Sequence, residues 1–416
     1  MESRDGSKEL SKDEGGANSE DMAAPRLHLQ TDKAFQGESV FSILVFPATR
    51  RKRHRQSFCD NCLMPRPLTL LLFWAACVLA EAQAAPEIQR ANSTEDLRGV
   101  SAVSQKIAWA SGTHGTYLRT TDGGRHWLAA QVPDAAALDF RAVVAFSAAD
   151  AFLMSAGPGD QSRIYHTADA GQHWSLQFTN QDPKGFFDSM VFWDATHGIV
   201  LGDPIPDSTG QLKFELLTTD DGHTWKPLAP PALPPATEGE GAFAASNGCV
   251  AVQGDNIWFA TGGGAASVFH SADRGLSWRV TKTPIIHGPD SAGIFSIAFD
   301  DATHGVIAGG DYKQPKQDGP NLAFSEDGGK TWKLSSLRPQ AYFSAVTFDR
   351  THKDRIFIVA SDSILDLRLP LNPRRINSAK DPNFKLNAVS PYPEGGALFV
   401  GPKGTIVALP TAPMPR

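Results

Sequence analysis

An eight-residue motif that recurs five times constrains the fold of this chain more than any other feature of its sequence. Each copy reads Ser/Thr-x-Asp-x-Gly-x-x-Trp, and the aspartate, glycine and tryptophan of the five copies are Asp122, Gly124 and Trp127; Asp169, Gly171 and Trp174; Asp220, Gly222 and Trp225; Asp273, Gly275 and Trp278; and Asp327, Gly329 and Trp332. Aspartate can accept hydrogen bonds from backbone N–H groups just after it, and glycine supplies the positive φ of a reversal. The motif therefore predicts a tight turn between two strands, followed by a tryptophan that packs in the core.

The copies are regularly spaced along the chain. Their aspartates, at positions 122, 169, 220, 273 and 327, are separated by 47, 51, 53 and 54 residues. That period matches four short strands with their loops, which is one blade of a β-propeller. Short β-favouring runs between the copies, such as residues 100–103 and 152–154, fit such a meander. The spacing thus predicts an all-β propeller of four-stranded antiparallel blades.

The motif resembles the Asp-box, or BNR, repeat of sialidases, sortilin-type receptors, some glycoside hydrolases and the photosystem II assembly factors. In those families the box lies between the third and fourth strands, on the periphery, so the resemblance implies a structural role for the fifteen residues named above. Over residues 97–409 the chain is most similar to the photosystem II assembly factor-like (WD40/YVTN/BNR-like) propellers of exported bacterial proteins. That resemblance implies a non-enzymatic scaffold for binding or assembly.

The blade count predicts seven blades. Blade six keeps its strands but has a proline-containing stretch at 369–373 where a box would fall, and blade seven offers only three strand candidates before the chain ends. A ring needs its last blade edge paired. Residues 86–93 are the one remaining segment with strand-like content, so they are expected to supply the outer strand of blade seven and lock the ring.

Residues 1–63 do not resemble the rest of the chain. They contain a basic cluster at 50–55, which suggests a nuclear or nucleic-acid-binding patch, and Cys59 and Cys62 in a CxxC pattern, which suggests a zinc or redox site. Neither has the partners it would need, because the sequence holds no second CxxC and no βαβ pattern around the first. Residues 1–63 are therefore interpreted as a non-native or disordered extension.

Residues 64–84 have the pattern of a secretory signal peptide. One positive charge precedes an apolar run at 68–80, and small residues follow with Ala-x-Ala spacing. An apolar run of about 13 residues is too short to span a bilayer. We expect translation to start at Met64, cleavage after Ala84, and a periplasmic or secreted domain of residues 85–416. A lipoprotein anchor at Cys77 is the alternative.

The net charge excludes one class of partner, and the cysteine content predicts how the domain is stabilised. The formal net charge of −6 argues against nucleic acid. Once the leader is removed, Cys249 is the one cysteine left of four, so the domain is expected to have no disulfide and to be held by its core. The prediction is a monomer without a stable membrane span.

Candidate site residues lie on loops predicted for the face opposite the boxes. They are Asp203, Glu240, His287, Asp311, Tyr312 and Lys313. Loops that follow the second strand of each blade share one face with the blade-to-blade connections, so these side chains are expected to gather at the channel mouth. Clustered carboxylates would favour a cationic or hydroxyl-rich ligand, which makes a protein or a carbohydrate the expected partner. Ordinary solvated loops and a hydrolytic carboxylate pair are the alternatives.

An enzymatic function is the runner-up. A glycoside hydrolase could use a carboxylate pair drawn from Asp203, Glu240 and Asp311. A sialidase match fails because the mature region lacks an early Arg-Ile-Pro motif and the chain holds few tyrosines. Residues 262–264 lack the spacing of a dinucleotide loop. The sequence thus assigns no catalytic residue, no metal site and no cofactor.

Overall fold

The structure is a computed structural model that describes residues 85–228, 233–337, 341–369, 372–376 and 385–410. The expectations for residues 1–63, for the signal peptide at 64–84 and for Cys77 lie outside this part of the chain. Within it the fold is an all-β, seven-bladed propeller of antiparallel sheets, as the sequence predicts. One 3₁₀ turn, Gly159–Gln161, interrupts the strands, and no helix in these ranges is long and apolar enough to cross a bilayer.

Blades one to three follow one another along the chain after an initial strand. Their strands are β1 (Glu87–Arg90); in blade one β2 (Leu97–Ala102), β3 (Ala108–Gly112), β4 (Thr116–Thr120) and β5 (Leu128–Gln131); in blade two β6 (Phe140–Ala145), β7 (Ala151–Ser155), β8 (Arg163–Thr167) and β9 (Ser175–Thr179); and in blade three β10 (Phe187–Phe192), β11 (Gly198–Pro206), β12 (Leu212–Thr219) and β13 (Lys226–Pro227).

Blades four to seven continue the ring, with two short strands added to blade five. The first strands along the chain are β14 (Glu240–Gly241), β15 (Val250–Gln253), β16 (Asn256–Ala260), β17 (Gly262–Gly263), β18 (Ser267–Ser271) and β19 (Arg279–Lys282). Blade five follows with β20 (Ala292–Phe299), β21 (Gly305–Asp311), β22 (Leu322–Ser325) and β23 (Lys333–Leu334), and blade six with β24 (Phe343–Phe348), β25 (Arg355–Ala360), β26 (Ser363–Arg368) and β27 (Asn372–Ile376). Blade seven contains β28 (Ala388–Pro391), β29 (Gly396–Gly401) and β30 (Thr405–Pro410). Blade four consists of β15, β16, β18 and β19, whereas β14 and β17 pair onto β20 and extend blade five to six strands.

The first strand of the described chain belongs to the last blade. β1 pairs antiparallel with β30, with Glu87 opposite Ala408 and Arg90 opposite Thr405. The order of this sheet is β1, β30, β29, β28, so β1 lies at its outer edge. Residues 87–90 therefore occupy the position that the sequence analysis expected for the segment 86–93.

The core consists of apolar layers between neighbouring blades. Two tryptophans outside the repeated motif, Trp109 in β3 and Trp258 in β16, are fully buried. Each donates its indole N–H to a backbone carbonyl of the following blade, Trp109 to Ser147 at 2.9 Å and Trp258 to Gly328 at 3.0 Å. These side chains therefore combine burial of a large apolar surface with a polar link between blades.

The repeated motif forms a compact turn between the third and fourth strands of its blade, and we call it the box turn. In blade one the Thr120 hydroxyl donates to Asp122 at 3.0 Å and accepts the N–H of Gly124 at 2.9 Å. The same carboxylate accepts the N–H of His126 at 3.0 Å. Gly124 has a φ of +83°, which a side chain would make costly. Blades two, four and five repeat these bonds around Asp169, Asp273 and Asp327.

The third copy differs from the sequence prediction by one residue. The carboxylate that closes this turn is that of Asp221, which accepts the Thr219 hydroxyl at 3.0 Å and the N–H of Thr224 at 2.7 Å. Asp220, the aspartate assigned from the motif, instead lies outside the turn and pairs with Lys226 at 2.7 Å. The turn of blade three is one residue shorter between its hydroxyl residue and its tryptophan, so the adjacent aspartate takes the structural position.

The box tryptophans are not equally buried. Trp127, Trp225 and Trp278 are at most 8% exposed, whereas Trp174 and Trp332 are partly exposed. The indole N–H groups of Trp174 and Trp332 have no hydrogen-bond partner among the described residues. The expectation of a buried anchor thus holds fully for three of the five copies.

Candidate functional site

The two faces of the propeller carry different kinds of turn. The box turns contact the hairpins between the first and second strands, as in the bonds from the N–H of Gly123 to Lys106 at 3.0 Å and from the N–H of Gly328 to Thr303 at 2.9 Å. Because successive strands are antiparallel, the starts of the first strands and the second-to-third strand turns lie on the opposite face. We call this second face the channel face.

A β-bulge occurs at the same place in the innermost strand of five blades. Each register shift leaves one residue of that strand unpaired near the channel face, and these residues are Arg98, Arg141, Asp188, Phe295 and Ser344. A bulge inserts an extra residue and re-aims its side chain. All five residues line one cavity of about 900 Å³, which we call the channel cavity. The repeated backbone irregularity therefore builds the site.

The lining of the channel cavity changes character around the ring. Arg98 and Arg141 come from blades one and two, and blade three supplies Asp188 together with Asp203 from β11. Blades four to six supply aromatic side chains, of which Phe243, Phe295, Tyr312 and Tyr342 belong to the lining. The carboxyl pair thus lies between a basic arc and an aromatic arc.

Asp188 is the most unusual side chain of the site. It is 1% exposed, and its Oδ2 atom has no hydrogen-bond partner among the described residues. Burial raises the pKa of this carboxyl well above its usual range, and the charge of Asp203 raises it further, whereas Arg141 and the backbone of Ala244 act in the opposite direction. A buried carboxyl that lacks a donor is costly, so it favours either its protonated form or a ligand that supplies a donor.

Asp203 and Arg141 are the two charged residues that act on this carboxyl. The Oδ1 atom of Asp203 accepts the N–H of Ala242 at 2.9 Å, and burial raises the pKa of Asp203. Arg141 donates to Asp139 at 2.8 Å and to the carbonyl of Ala244 at 2.9 Å. Arg141 thus acts on Asp188 through its charge, but its hydrogen bonds go to Asp139 and Ala244, and Oδ2 of Asp188 is left without a donor among the described residues.

The aromatic arc is a set of packed rings. Phe243 stacks on Phe295 with a centroid separation of 3.9 Å and an interplanar angle of 8°. Tyr342 and Tyr312 meet the ring of Phe295 edge-on at 4.7 and 6.2 Å. Tyr342 is half-buried, and desolvation raises the pKa of its hydroxyl, whereas Tyr312 is 48% exposed at the rim. The arc offers flat apolar surface to a ligand in the cavity.

Three of the six side chains singled out from the sequence line the channel cavity, namely Asp203, Glu240 and Tyr312. Glu240 is only 6% exposed, and its carboxylate accepts the Thr261 hydroxyl at 2.5 Å and the N–H of Thr237 at 2.8 Å. This carboxylate fastens the loop before blade four to the segment between β16 and β17, so its observed contacts are structural.

The other three residues lie on the channel face beside the lining. Asp311 is 5% exposed and accepts the N–H of Lys313 at 2.9 Å, which shapes its own turn. The ammonium group of Lys313 lies 5.9 Å from the ring centre of Tyr312. His287 contacts the carbonyl of Ile285 through Nδ1 at 3.0 Å. None of the three belongs to the lining that the described residues form.

The sequence analysis did not single out the bulge residues. A signal for them exists, because in each of these blades the strand with the bulge contains, in succession, an apolar residue, a variable residue, a small residue and an apolar residue. These four-residue segments are 97–100, 140–143, 187–190, 294–297 and 343–346. The variable second position is the one that enters the cavity. It becomes visible only after the blades are aligned on their innermost strands, whereas the box motif aligns their outer halves.

Comparison with known proteins places the fold but not the family. No protein-family model and no curated protein matches the sequence. Among solved structures, the chain is similar to YCF48 bound to D1 peptide, with 14% identity, a TM-score of 0.56 and coverage of 79% of this chain and 98% of that one. YCF48 from Cyanidioschyzon merolae gives 16% identity, a TM-score of 0.53 and coverage of 79% and 99%. A catalytically inactive virginiamycin B lyase from Staphylococcus aureus with quinupristin gives 10% identity, a TM-score of 0.55 and coverage of 77% of this chain and 97% of that one. At these identities the likeness concerns the propeller fold.

Proposed function

We propose that this chain is an exported, non-enzymatic scaffold that binds a segment of a partner protein in the channel cavity. The observation that carries the proposal is the recurrence of the bulge in five innermost strands, each of which sends a side chain into one cavity. Structural cores do not require such a repeated interruption of strand pairing, and bulges are over-represented next to functional sites.

The chemistry of the lining supports a peptide segment as ligand. A cavity of about 900 Å³ has the size of a ligand site, and its lining combines three basic residues, four carboxyl residues and an aromatic arc. A peptide offers carbonyl oxygens, N–H groups and side chains that can match such a mixed lining. YCF48, one of the similar propellers, has been solved with a D1 peptide bound, and this supports the same class of partner here. Carbohydrate remains the alternative ligand.

The remaining parts of the proposal concern where the protein acts and in what form. The leader pattern at 64–84 supports a periplasmic or secreted location. The type of protein that we propose is a BNR-repeat, photosystem II assembly factor-like propeller, and the form in which it acts is a monomer. Amino-terminal sequencing of the natural product should begin near Ala85. A mature product that starts at Met1 would contradict both the leader and the interpretation of residues 1–63.

Photo-cross-linking tests the binding face. Benzoylphenylalanine is introduced at Tyr312, which is 48% exposed at the cavity rim, or at Leu276, which is 66% exposed in the box turn of blade four. Each full-length variant is irradiated in an extract of the source cells. We expect an adduct with a defined partner segment from position 312 and none from position 276. Equal adducts from both positions, or none from position 312, would overturn the proposal.

Competition assigns the adduct to the cavity. Excess unmodified protein should suppress the adduct at position 312, and excess Arg98→Ala protein should suppress it less, because Arg98 lines the cavity and its Nε atom has no partner within the described residues. If both competitors are equally effective, the partner binds the rim without entering the cavity.

A carboxylate-pair glycoside hydrolase is the second candidate, and the raised pKa values of Asp188 and Asp203 favour it specifically, because a general acid must hold its proton. The pair considered from sequence included Glu240 and Asp311, whose carboxylates are used in loop contacts. An aryl-glycoside panel distinguishes the two functions. Turnover that is abolished by Asp203→Asn would replace the scaffold proposal with the hydrolase.

A further inference from the structure

We infer that the carboxyl pair of blade three, Asp188 and Asp203, is the binding site for the guanidinium group of an arginine side chain on the partner. This inference rests on the proposed function, because it names the part of the partner segment that enters the channel cavity. It goes beyond that function by assigning the ligand chemistry and the atom that receives it, Oδ2 of Asp188.

The first observation is the unpartnered acceptor. Asp188 is 99% buried, lines the channel cavity and leaves Oδ2 without a hydrogen-bond donor among the described residues. Asp203 lines the same cavity with its Oδ1 already bonded to the N–H of Ala242. Two carboxyls that act on each other in a buried setting repel when both are ionised, and a cation placed between them removes that cost.

The second observation is the position of the pair next to the aromatic arc. Asp203 bonds to the backbone of Ala242, and the neighbouring Phe243 stacks on Phe295. A guanidinium group is planar and weakly hydrated, donates several hydrogen bonds in one plane, and stacks on aromatic faces. Lysine offers a compact, strongly hydrated ammonium group, which lacks the planar array of donors and the flat face of the guanidinium group. The combination therefore favours arginine over lysine.

The basic residues of the cavity do not already satisfy the pair. Arg141 donates through Nε to Asp139 and through Nη1 to the carbonyl of Ala244. Arg98 belongs to blade one, two blades away from Asp188 around the ring. Lys184, the third basic residue of the lining, is exposed to solvent. None of the three therefore donates a hydrogen bond to Oδ2 of Asp188, although the charge of Arg141 acts on this carboxyl.

Binding of a cation here should release protons. Burial and the charge of Asp203 hold the pKa of Asp188 high, while the charge of Arg141 opposes this shift. Burial and the charge of Asp188 likewise raise the pKa of the Cys249 thiol. When a guanidinium group occupies the site, the ionised carboxylate is favoured and the proton leaves to solvent. Affinity should therefore rise with pH across the interval in which the empty pair still holds its proton.

The test uses four short peptides, acetyl-Gly-X-Gly-amide with X as arginine, lysine, citrulline or glutamate, titrated calorimetrically into the full chain. Citrulline keeps the shape of arginine without its charge. We expect the arginine peptide to bind about 10- to 100-fold more tightly than the citrulline peptide, the range that charge-assisted hydrogen bonds give. Repeating the titration in buffers of different ionisation enthalpy should reveal proton release with the arginine peptide and none with the citrulline peptide.

Variants assign the effect to the pair. Asp188→Asn and Asp203→Asn should each remove most of the preference for arginine over citrulline, and the melting temperature of each variant checks that it folds. Asp311→Asn is the matched control, because this carboxylate lies on the same face but outside the cavity lining. Equal binding of arginine and citrulline peptides, or an arginine preference that survives both asparagine variants, would overturn the inference.

The outcome is separable from that of the proposed function. If cross-linking from position 312 identifies a partner whose binding is unchanged in Asp188→Asn, the scaffold function stands and the arginine site is refuted. If the arginine peptide binds as described but no partner is cross-linked from the cavity rim, the site stands and the assignment of a protein partner fails.

Discussion

The indole Nε1 of Trp127 donates a hydrogen bond of 3.0 Å to Oε1 of Gln89, which joins the box turn of blade one to the outer strand of blade seven. The same glutamine donates through Nε2 to the carbonyl of Gly123 at 3.0 Å. An equivalent clamp exists inside the ring, where Gln177 of blade two holds Trp225 and Gly222 of blade three at 2.9 Å each. The contact between blades seven and one, where the ring closes, thus copies one that other neighbouring blades make.

The first prediction uses this pair of clamps. Gln89→Ala and Gln177→Ala each remove two hydrogen bonds and should each cost about 1–3 kcal/mol of unfolding free energy. Deletion of residues 86–93 should cost considerably more, because it also removes the β1–β30 pairing and leaves a blade edge open. Thermal and urea denaturation measure all three. A deletion that melts at the wild-type temperature would refute the terminal lock.

The second prediction is that the cost of replacing a box tryptophan depends on how deeply its side chain is buried. Trp225 is 6% exposed and packs edge-on against Phe192 at 5.7 Å, so Trp225→Ala should destabilise the protein by roughly 3–5 kcal/mol. Trp174 is partly exposed and its indole N–H has no partner within the described ranges. Trp174→Ala should therefore cost clearly less. A loss below about 1 kcal/mol for Trp225→Ala would mean that these tryptophans do not anchor their blades.

The architecture could be predicted from the sequence because its signal is periodic and local. The five tryptophans of the repeat show where the fourth strand of each of blades one to five begins. The strand candidates that follow at the same period predict the two blades without a box. The error at Asp220 shows the limit of that signal, because two adjacent aspartates fit the motif and only the loop length selects Asp221. Loop length depends on how the strands pair, which a motif does not specify.

The site was predicted less completely, for a physical reason. Unusual loop residues such as Asp311 attract attention in a sequence, but a carboxylate on a glycine-rich loop can equally bond its own turn, as this one does. Asp188, by contrast, lies within a strand, where a side chain normally points to one of the two faces of its sheet. The bulge that turns it into the channel cavity is a property of strand register. Register is set by the pairing of whole strands, and in the sequence only the four-residue pattern of the bulged strands indicates it.

The third prediction tests the position of the turn aspartate in blade three. Asp221→Ala should lower the melting temperature, because it removes the acceptor for the Thr219 hydroxyl and for the N–H groups of His223 and Thr224. Asp220→Ala removes an exposed ion pair with Lys226 and should have little effect. The reverse order of the two melting temperatures would restore the assignment made from the motif.

The fourth prediction concerns acid. The pKa of Asp273 lies at about 2, below its ordinary value of 3.8, because the hydroxyls of Ser277 and Ser271 and the N–H of Ser277 bond its charged form. A group whose folded pKa is lowered stabilises the fold above its unfolded pKa and loses that contribution as the pH falls toward the folded value. The melting temperature should therefore decline between about pH 4 and pH 2, and less steeply in Asp273→Asn. Parallel profiles would show that this turn is not linked to protonation.

The last prediction addresses blade six, which has no box turn and carries a buried ion cluster. Arg355 donates to both oxygens of Asp366, at 2.8 and 2.9 Å, and to Asp349 at 3.3 Å, and all three side chains are at most 3% exposed. Asp349 also accepts the N–H of Gly396 in blade seven at 3.1 Å, so the cluster links two blades.

Removal of one member of this cluster should be more harmful than loss of the whole. Asp366→Asn leaves the buried guanidinium with one carboxylate fewer and should cost about 3–5 kcal/mol. Arg355→Met combined with Asp366→Leu and Asp349→Asn removes all three buried charges and should recover part of that loss, since no desolvated charge is left without a partner. Urea denaturation of the single and the triple variant measures the difference. If the triple variant is less stable than Asp366→Asn, the ion cluster contributes net stability to blade six, and the desolvation argument does not apply to this blade.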